Sequence, residues 1–132
     1  LGTLLGAVLP ILSQNKMKSH LEKVFLPEKV SDEYLETWLP RYTRFESLMA
    51  TMSDKNSMLY ILEQVHEKMA EIKCPVTAII GKEDQVCSAK NQLELIRQKL
   101  PQATIHEIDQ AGHSLPLTHA EKCAEIIIES MR

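Results

Sequence analysis

VTAIIGKED, residues 76–84, decides the fold of this chain together with ATIHEIDQAGHSLP, residues 103–116. Each stretch opens with a short apolar run that is rich in β-branched residues and bounded by Pro or Gly, a pattern typical of a β-strand. The segment between them carries helical periodicity from about Ser88 to Leu100. A crossover that contains its own helix joins parallel strands. The sequence therefore predicts a strand–helix–strand unit whose two strands are parallel.

Two polar side chains follow the predicted strands within a few residues, Asp84 after the first and His113 after the second. The carboxyl ends of parallel strands share one edge of the sheet, where open α/β sheets bind their ligands. We therefore expect Asp84 and His113 to emerge side by side. A carboxylate that holds an imidazole is the acid–base half of a nucleophilic triad.

The segment IKCPVTAIIGKED at residues 72–84, followed by LP at 100–101 and AGH at 111–113, resembles the carboxyl-terminal end of an α/β-hydrolase. In that family the acid follows the seventh strand as G-x-x-D, and the histidine follows the eighth in a G-H loop. The resemblance implies that Asp84 and His113 belong to a catalytic triad whose Ser lies upstream. Many members place a Pro soon after the acid, whereas QVCS follows here, so Glu83 is the neighbouring acid to exclude.

Residues 1–71 show helical rather than strand periodicity. We predict four or five amphipathic helices, at about residues 4–12, 17–25, 32–39, 45–52 and 54–69, with a buried strand as the alternative over the first of these. Ser31 is the expected N-cap of the third helix, and Ser53 or Asp54 that of the last. The apolar side chains of the last helix are spaced for one buried face: Met58, Leu59, Leu62, Val65 and Met69.

By the same resemblance, residues 1–71 correspond to the cap that many α/β-hydrolases insert after their sixth strand, and residues 72–132 to the carboxyl-terminal βαβα part of the core. Lids of this kind exclude water and shape the substrate pocket. Trp38, Phe45 and the Met-rich helices are then candidates to face the substrate, although methionines also fill gaps in ordinary helical cores.

The carboxyl-terminal helix has two predicted features. Thr118–Glu121 forms a capping box at its start. Its expected packing face consists of Ala120, Cys123, Ala124, Ile127 and Met131. In the preceding loop, Leu115 and Leu117 either line the mouth of an apolar pocket or anchor the loop.

Composition narrows the class of protein. The 132 residues are 44% hydrophobic and 25% charged, with a net charge of −3, so we expect neither a nucleic acid nor an anionic membrane as a partner. The cysteines at 74, 87 and 123 form no disulfide framework, and we expect buried, reduced thiols in a cytoplasmic protein. The apolar opening run, residues 1–12, is too short to cross a bilayer and lacks the flanks of a signal peptide.

Two parallel strands are marginal by themselves, because parallel sheets bury both faces and contain more strands. We therefore expect an incomplete domain or one that needs a partner. The resemblance implies that it is an incomplete α/β-hydrolase fold whose remaining core, with the nucleophile, lies N-terminal to Leu1. The sequence contains no G-x-S-x-G. Ser114 adjoins His113 in the chain and is poorly placed to reach it, and Cys87 is more simply a small packed hydrophobe than a nucleophile.

No cofactor is expected, because the chain has no GxGxxG and no Walker loop, and a zinc site is not expected without HExxH or ligand-spaced cysteines. We predict that His106 and His119 are structural or solvent-facing and that His20 and His66 lie on helix surfaces.

The resemblance thus implies the carboxyl-terminal portion of a serine-type α/β-hydrolase, and the apolar cap indicates a small, mainly apolar ester, thioester or related acyl substrate. In this hypothesis His113 is the general base and Asp84 orients it, while the 132-residue chain by itself is inactive. Three alternatives stay open: an aspartate-nucleophile hydrolase of epoxides or halides, a hydrolase-like receptor or pseudoenzyme, and a helical interaction domain without a site.

Overall fold

A computed structural model describes the backbone of residues 2–132 and the side chains from Gln14 onward, except those of Leu59 and Glu63. The helices are α1 (Gly2–Phe25), α2 (Asp32–Tyr42), α3 (Phe45–Lys68), α4 (Ala89–Lys99), α5 (Leu115–Thr118) and α6 (Ala120–Ser130), with a 3-10 turn at Met69–Glu71. The strands are β1 (Thr77–Gly81) and β2 (Thr104–Ile108).

The described chain divides into two compact units. The first contains the residues up to Glu22 together with Val30–Leu62, and it is entirely helical. The second contains Lys23–Lys29 and Glu63–Arg132, so it holds both strands. The short segment Lys23–Lys29 is separated in sequence from the rest of this unit. It contacts the loop that follows β2.

The sheet of the second unit pairs β1 with β2 in parallel, as the sequence predicts. Thr77 stands opposite Thr104 and Gly81 opposite Ile108, so both strands end at the same level. The crossover helix α4 begins after Ser88, whose hydroxyl accepts a hydrogen bond from the Asn91 amide. These elements form a partial α/β fold in which the two loops that follow the strands start side by side.

The core of the second unit is small. Ala111, Leu115 and Cys123 are buried together, and Ile79 of β1 and Ile108 of β2 pack against them. The loop after β2 and helices α5 and α6 are therefore held to one face of the sheet by apolar contacts. This arrangement fixes the backbone on both sides of His113.

The amino-terminal helices are fewer and longer than predicted. The segments predicted at 4–12 and 17–25 form one continuous helix, α1, and those at 45–52 and 54–69 form α3 and the 3-10 turn that follows it. Ser53 and Asp54 thus lie inside a helix and cap nothing. Once a helix has formed, each further residue adds a hydrogen bond, so one unfavourable residue does not end it. The prediction of Ser31 as an N-cap is confirmed, since its hydroxyl accepts from the Tyr34 amide at 3.1 Å.

The predicted buried face of α3 is wrong for the described side chains. Met58, Leu62 and Val65 are exposed and Met69 is half-buried. Leu59 lies outside the described side chains, as does the predicted apolar stripe over residues 4–12. Periodicity identifies the residues that share a face of a helix, but it does not supply a surface to cover that face.

Two predictions for the last helix are also wrong. Helix α6 begins at Ala120 with His119 as its N-cap, and Thr118 instead ends α5 and donates its hydroxyl to the Ser114 carbonyl. Its buried residues are Cys123 and Ile126, whereas Ile127 is 51% exposed. The run of three isoleucines at 126–128 leaves the apolar face ambiguous in the sequence, and in the structure Ile126 is the one that is buried.

The cysteines are free, but only Cys123 is buried, whereas Cys74 and Cys87 are exposed. The prediction of buried thiols is therefore wrong for two of the three. Both exposed cysteines lie in connecting segments at the surface of the unit, where an apolar side chain has no core to join.

Candidate active site

The carboxylate of Asp84 is fixed by the turn that follows β1. Its amide donates to the Gly81 carbonyl, and its Oδ1 accepts the amides of Val86 and Cys87 at 2.8 Å each. Asp side chains commonly bond to backbone amides two and three residues ahead in this way. Because Oδ1 is committed to the chain's own backbone, Oδ2 is left to face a partner.

His113 is carried by the loop after β2, which is joined to the first loop through the backbone. The Lys82 amide donates to the Ile108 carbonyl at 3.0 Å, and the Glu83 amide donates to the Ala111 carbonyl at 2.9 Å. These two bonds extend the parallel ladder beyond the ends of the strands. These bonds fix the distance between the two loops that carry Asp84 and His113.

Glycine allows the two loops to approach this closely. A Cβ at Gly81 would lie 2.5 Å from the carbonyl oxygens of Ala111 and Gly112. Neither Gly81 nor Gly112 has a positive φ, so close approach rather than a left-handed turn requires glycine here. The G-x-x-D and G-H patterns therefore have a steric reason in this structure.

Asp84 and His113 are in direct contact. His113 Nδ1 lies 2.9 Å from Asp84 Oδ2, and the Asp84 side chain is 7% exposed whereas that of His113 is 38% exposed. An ionised carboxylate only accepts hydrogen bonds, so Nδ1 carries the proton and donates it to Asp84. The remaining ring nitrogen, Nε2, is then free to accept a proton.

The electrostatics favour this ionised acid. Burial acts to raise the pKa of Asp84, but the hydrogen bond from His113, the amide bonds from Cys87 and Val86 and the charge of His113 act in the opposite direction. Together they hold the pKa of the Asp84 carboxyl below its ordinary value. An imidazole oriented by a carboxylate in this way can take a proton at one atom and return it at the same atom.

A cavity of about 320 Å³ opens beside the pair. Asp84 and His113 line it together with the apolar side chains of Ile79, Ile80 and Leu115. A mostly apolar cleft with a few polar groups in it is the usual form of a small-molecule site. Leu115 is buried in the core and anchors the loop as well, whereas Leu117 is exposed.

The other candidates for site residues are placed differently. Glu83 is exposed, and the carboxylate that bonds His113 is that of Asp84. Ser114 is buried at the N-cap of α5, a poor position for a nucleophile. Cys87 is exposed and lines the same cavity as His113, so it is not the packed hydrophobe that we expected.

The remaining histidines lie elsewhere. His20 is exposed on α1, and His66 and His106 are partly buried on α3 and β2. His119 is partly buried, with Nδ1 3.2 Å from Glu28 Oε1. No sequence pattern indicates this contact, because 91 positions separate its partners and neither lies in a recognisable motif.

An ion pair between Lys82 and Asp109 spans the two loops at their surface, with Nζ 2.6 Å from Oδ1. The hydrogen bond and the charge of Asp109 raise the pKa of Lys82. Both side chains are largely exposed, and exposed pairs contribute little to stability. The backbone hydrogen bonds rather than this pair therefore set the geometry of the site.

Within the described residues, no group of three or more His, Cys, Asp or Glu side chains is arranged to hold a metal ion. In the same part of the chain, no helix has both the length and the apolar composition needed to span a bilayer.

Known proteins share part of this chain. No family model matches it. Over 104 residues, 79% of this chain and 30% of the relative, it is 21% identical to monoacylglycerol lipase ABHD6 of Mus musculus. The corresponding proteins of Rattus norvegicus and Homo sapiens are 20% and 21% identical over 104 residues. The chain spans about 30% of the length of these curated relatives. They are α/β-hydrolases, and the predicted resemblance to that superfamily is confirmed by this similarity.

Proposed function

We propose that this chain supplies the acid and the histidine of a serine-type α/β-hydrolase. The single observation that carries the proposal is the 2.9 Å hydrogen bond from His113 Nδ1 to the buried Asp84 carboxylate. It lies where two parallel strands end, which is where α/β sheets bind ligands. In this proposal residues 72–132 are the carboxyl-terminal βαβα part of the hydrolase core, and residues 1–71 are its cap.

The chemistry assigns one step to each atom of the pair. His113 Nε2 takes the proton of the serine hydroxyl as its oxygen attacks the substrate carbonyl, and the imidazolium then protonates the departing alcohol. Asp84 holds the proton on Nδ1 throughout and stabilises the cation that forms. Water attacks the acyl-enzyme with His113 again as base, which releases the acid and restores the serine.

The serine in this proposal belongs to a segment outside these 132 residues, because G-x-S-x-G does not occur among them. Its place would be within reach of His113 Nε2, on the exposed side of the ring. The oxyanion hole would come from the same segment, since its donors adjoin the nucleophile and an earlier loop.

We propose a small, mainly apolar carboxylic ester as the substrate. Two observations support this class. The cavity beside His113 is lined by Ile79, Ile80 and Leu115. The relatives named above are lipases of monoacylglycerol, which is an ester with an apolar acyl chain.

Substitution of Asp84 by Asn in the full-length protein tests the proposal. Asn cannot hold the imidazole in the required tautomer, so turnover of a short-chain ester should fall on the order of 10³–10⁴-fold, as in protease triads. Glu83→Gln is the matched control, because it removes the charge of the neighbouring exposed acid, and it should leave turnover unchanged.

Two outcomes would oppose the proposal. Near wild-type turnover in the Asp84→Asn protein would remove Asp84 from the mechanism. Saturable ligand binding by a wild-type protein that turns over no ester would favour a hydrolase-like receptor instead.

A further inference from the structure

The segment that joins α1 to α2 lies directly against the loop that carries His113. A Cβ added at Gly112 would overlap the backbone carbonyl of Leu26. Two main chains that are distant in sequence therefore touch at the residue before His113. A clash between backbones cannot be relieved by a change of rotamer on either side.

The same segment makes a second contact two residues later, through Glu28. Both carboxylate oxygens of Glu28 are shielded from solvent, and no group among the described residues donates a hydrogen bond to either. Their nearest ring nitrogen is His119 Nδ1, 3.2 Å from Oε1. A buried carboxylate without a donor is costly, so its position needs a compensating interaction.

The hydrogen bonds of Thr118 explain why Glu28 receives no donor. The Thr118 hydroxyl donates to the Ser114 carbonyl, and its oxygen is 2.9 Å from His119 Nδ1. Because the hydroxyl proton is already used, the Nδ1 proton points to Thr118. Glu28 Oε1 then lies 3.2 Å from a polarised N–H that it does not receive as a hydrogen bond, and the exclusion of water strengthens this charge–dipole attraction.

These two contacts lie at opposite ends of one short rigid segment. His113 directly precedes Ser114, the N-cap of α5, and His119 is the residue that ends α5, with its amide on the Leu115 carbonyl at 2.8 Å. Leu115 itself is buried in the core. Leu26 thus contacts Gly112 just before His113, while Glu28 contacts His119 at the other end of α5.

We propose that Glu28 is a positioning residue for His113: through His119 it holds α5, and with it the orientation of the imidazole toward Asp84. This inference rests on the proposed function for its effect on catalysis, but not for its effect on the position of the ring. Glu28 is not among the residues that line the cavity, and its role is to position His113 rather than to act on substrate.

Kinetics of the full-length protein give the first test. Glu28→Gln keeps the size of the side chain and removes its charge, and it should lower kcat by about 10–100-fold through misplacement of the histidine. KM should stay within about twofold, because only the transition state depends on the ring's position. Glu22→Gln, the same change at an exposed position on α1, should alter neither constant.

Because a buried site is altered, a second variant guards against simple misfolding. His119→Gln removes the other member of the pair, and the double variant should be no slower than the slower single variant if the two residues act as one unit. Independent losses that multiply in the double variant would overturn the inference. So would wild-type kcat in the Glu28→Gln protein.

A spectroscopic readout separates this inference from the proposed function. In ¹⁵N-histidine-labelled protein, His113 should show a slowly exchanging Nδ1 proton that disappears in the Asp84→Asn variant. Glu28→Gln should speed its exchange about tenfold or more, in line with a loosened ring, whereas Glu22→Gln should not. A wild-type protein in which His113 shows no slowly exchanging Nδ1 proton would defeat the proposed Asp84–His113 pair. An unchanged proton in Glu28→Gln would defeat only the role of Glu28.

Discussion

Addition of a single methyl group at Gly81 should separate the two loops that hold the site. Gly81→Ala places a Cβ 2.5 Å from the carbonyl oxygens of both Ala111 and Gly112, whereas real Cβ contacts essentially never fall below 3.0 Å. The difference is 0.5 Å, which is the smallest movement that relieves the clash. Both obstacles are backbone atoms, so the whole second loop, with His113 on it, must move.

The size of the effect follows from that distance. The bond between His113 and Asp84 is 2.9 Å long, and an increase of half an ångström would carry it past the limit of about 3.2 Å for N–H···O bonds. Overpacking of this kind destabilises a protein by about 1–3 kcal/mol. A misplacement of 1 Å can cost about 10²-fold in rate, so half of that should lower turnover about 10-fold.

The assay compares three variants of the full-length protein by urea unfolding and by ester turnover. Gly112→Ala should lose more stability and more turnover than Gly81→Ala, because its Cβ would overlap the Leu26 carbonyl outright. Gln110→Gly is the control in the same loop: Gln110 has a φ of 53°. Glycine relieves the cost of about 1–2 kcal/mol that a left-handed residue carries, so stability should not fall.

A Gly81→Ala protein with wild-type stability and turnover would show that the methyl group fits without moving the loop, contrary to the prediction. A Gly112→Ala protein that is milder than Gly81→Ala would refute it equally, because the order of the two overlaps is fixed by the backbone.

Two further predictions concern acid and the isolated chain. The pKa of folded Asp84 lies below its ordinary 3.8, so its stabilising contribution is complete above that pH and is lost as the pH falls through the folded value. The stability advantage of wild type over Asp84→Asn in urea unfolding should therefore stay constant down to about pH 5 and shrink as the pH falls below 3.8. A difference that stays constant below pH 3.8 would contradict this prediction. The purified 132-residue chain should hydrolyse no ester and should melt without one cooperative transition, because a two-stranded sheet is marginal alone. Calorimetry showing a single sharp transition would disprove this.

The sequence was sufficient to predict the elements around the site. Short apolar, β-branched runs located β1 and β2, helical periodicity located α4, and the helix-containing crossover required the strands to be parallel. Parallel strands that end together then brought Asp84 and His113 to one edge. These inferences succeed because they depend on spacing within about forty residues of chain, where local geometry dominates.

The same local rules were insufficient for helix ends and helix faces. Ser53 and Thr118 resemble caps in sequence, yet one lies inside α3 and the other ends α5. The choice between Ile126 and Ile127 depended on which side of α6 is covered in the folded unit, and periodicity cannot make that choice in a run of isoleucines. Burial of α3 likewise depends on a covering surface rather than on the helix itself.

The sequence by itself determined the order of the strands, their parallel pairing and the pair of side chains that they deliver, because chain connectivity and residue spacing restrict all three. Only the tertiary structure revealed that Leu26 rests on Gly112 and that Glu28 lies beside His119. No pattern encodes such contacts. They arise when packing of the core brings remote backbone segments together, and that packing depends on every side chain in the unit at once.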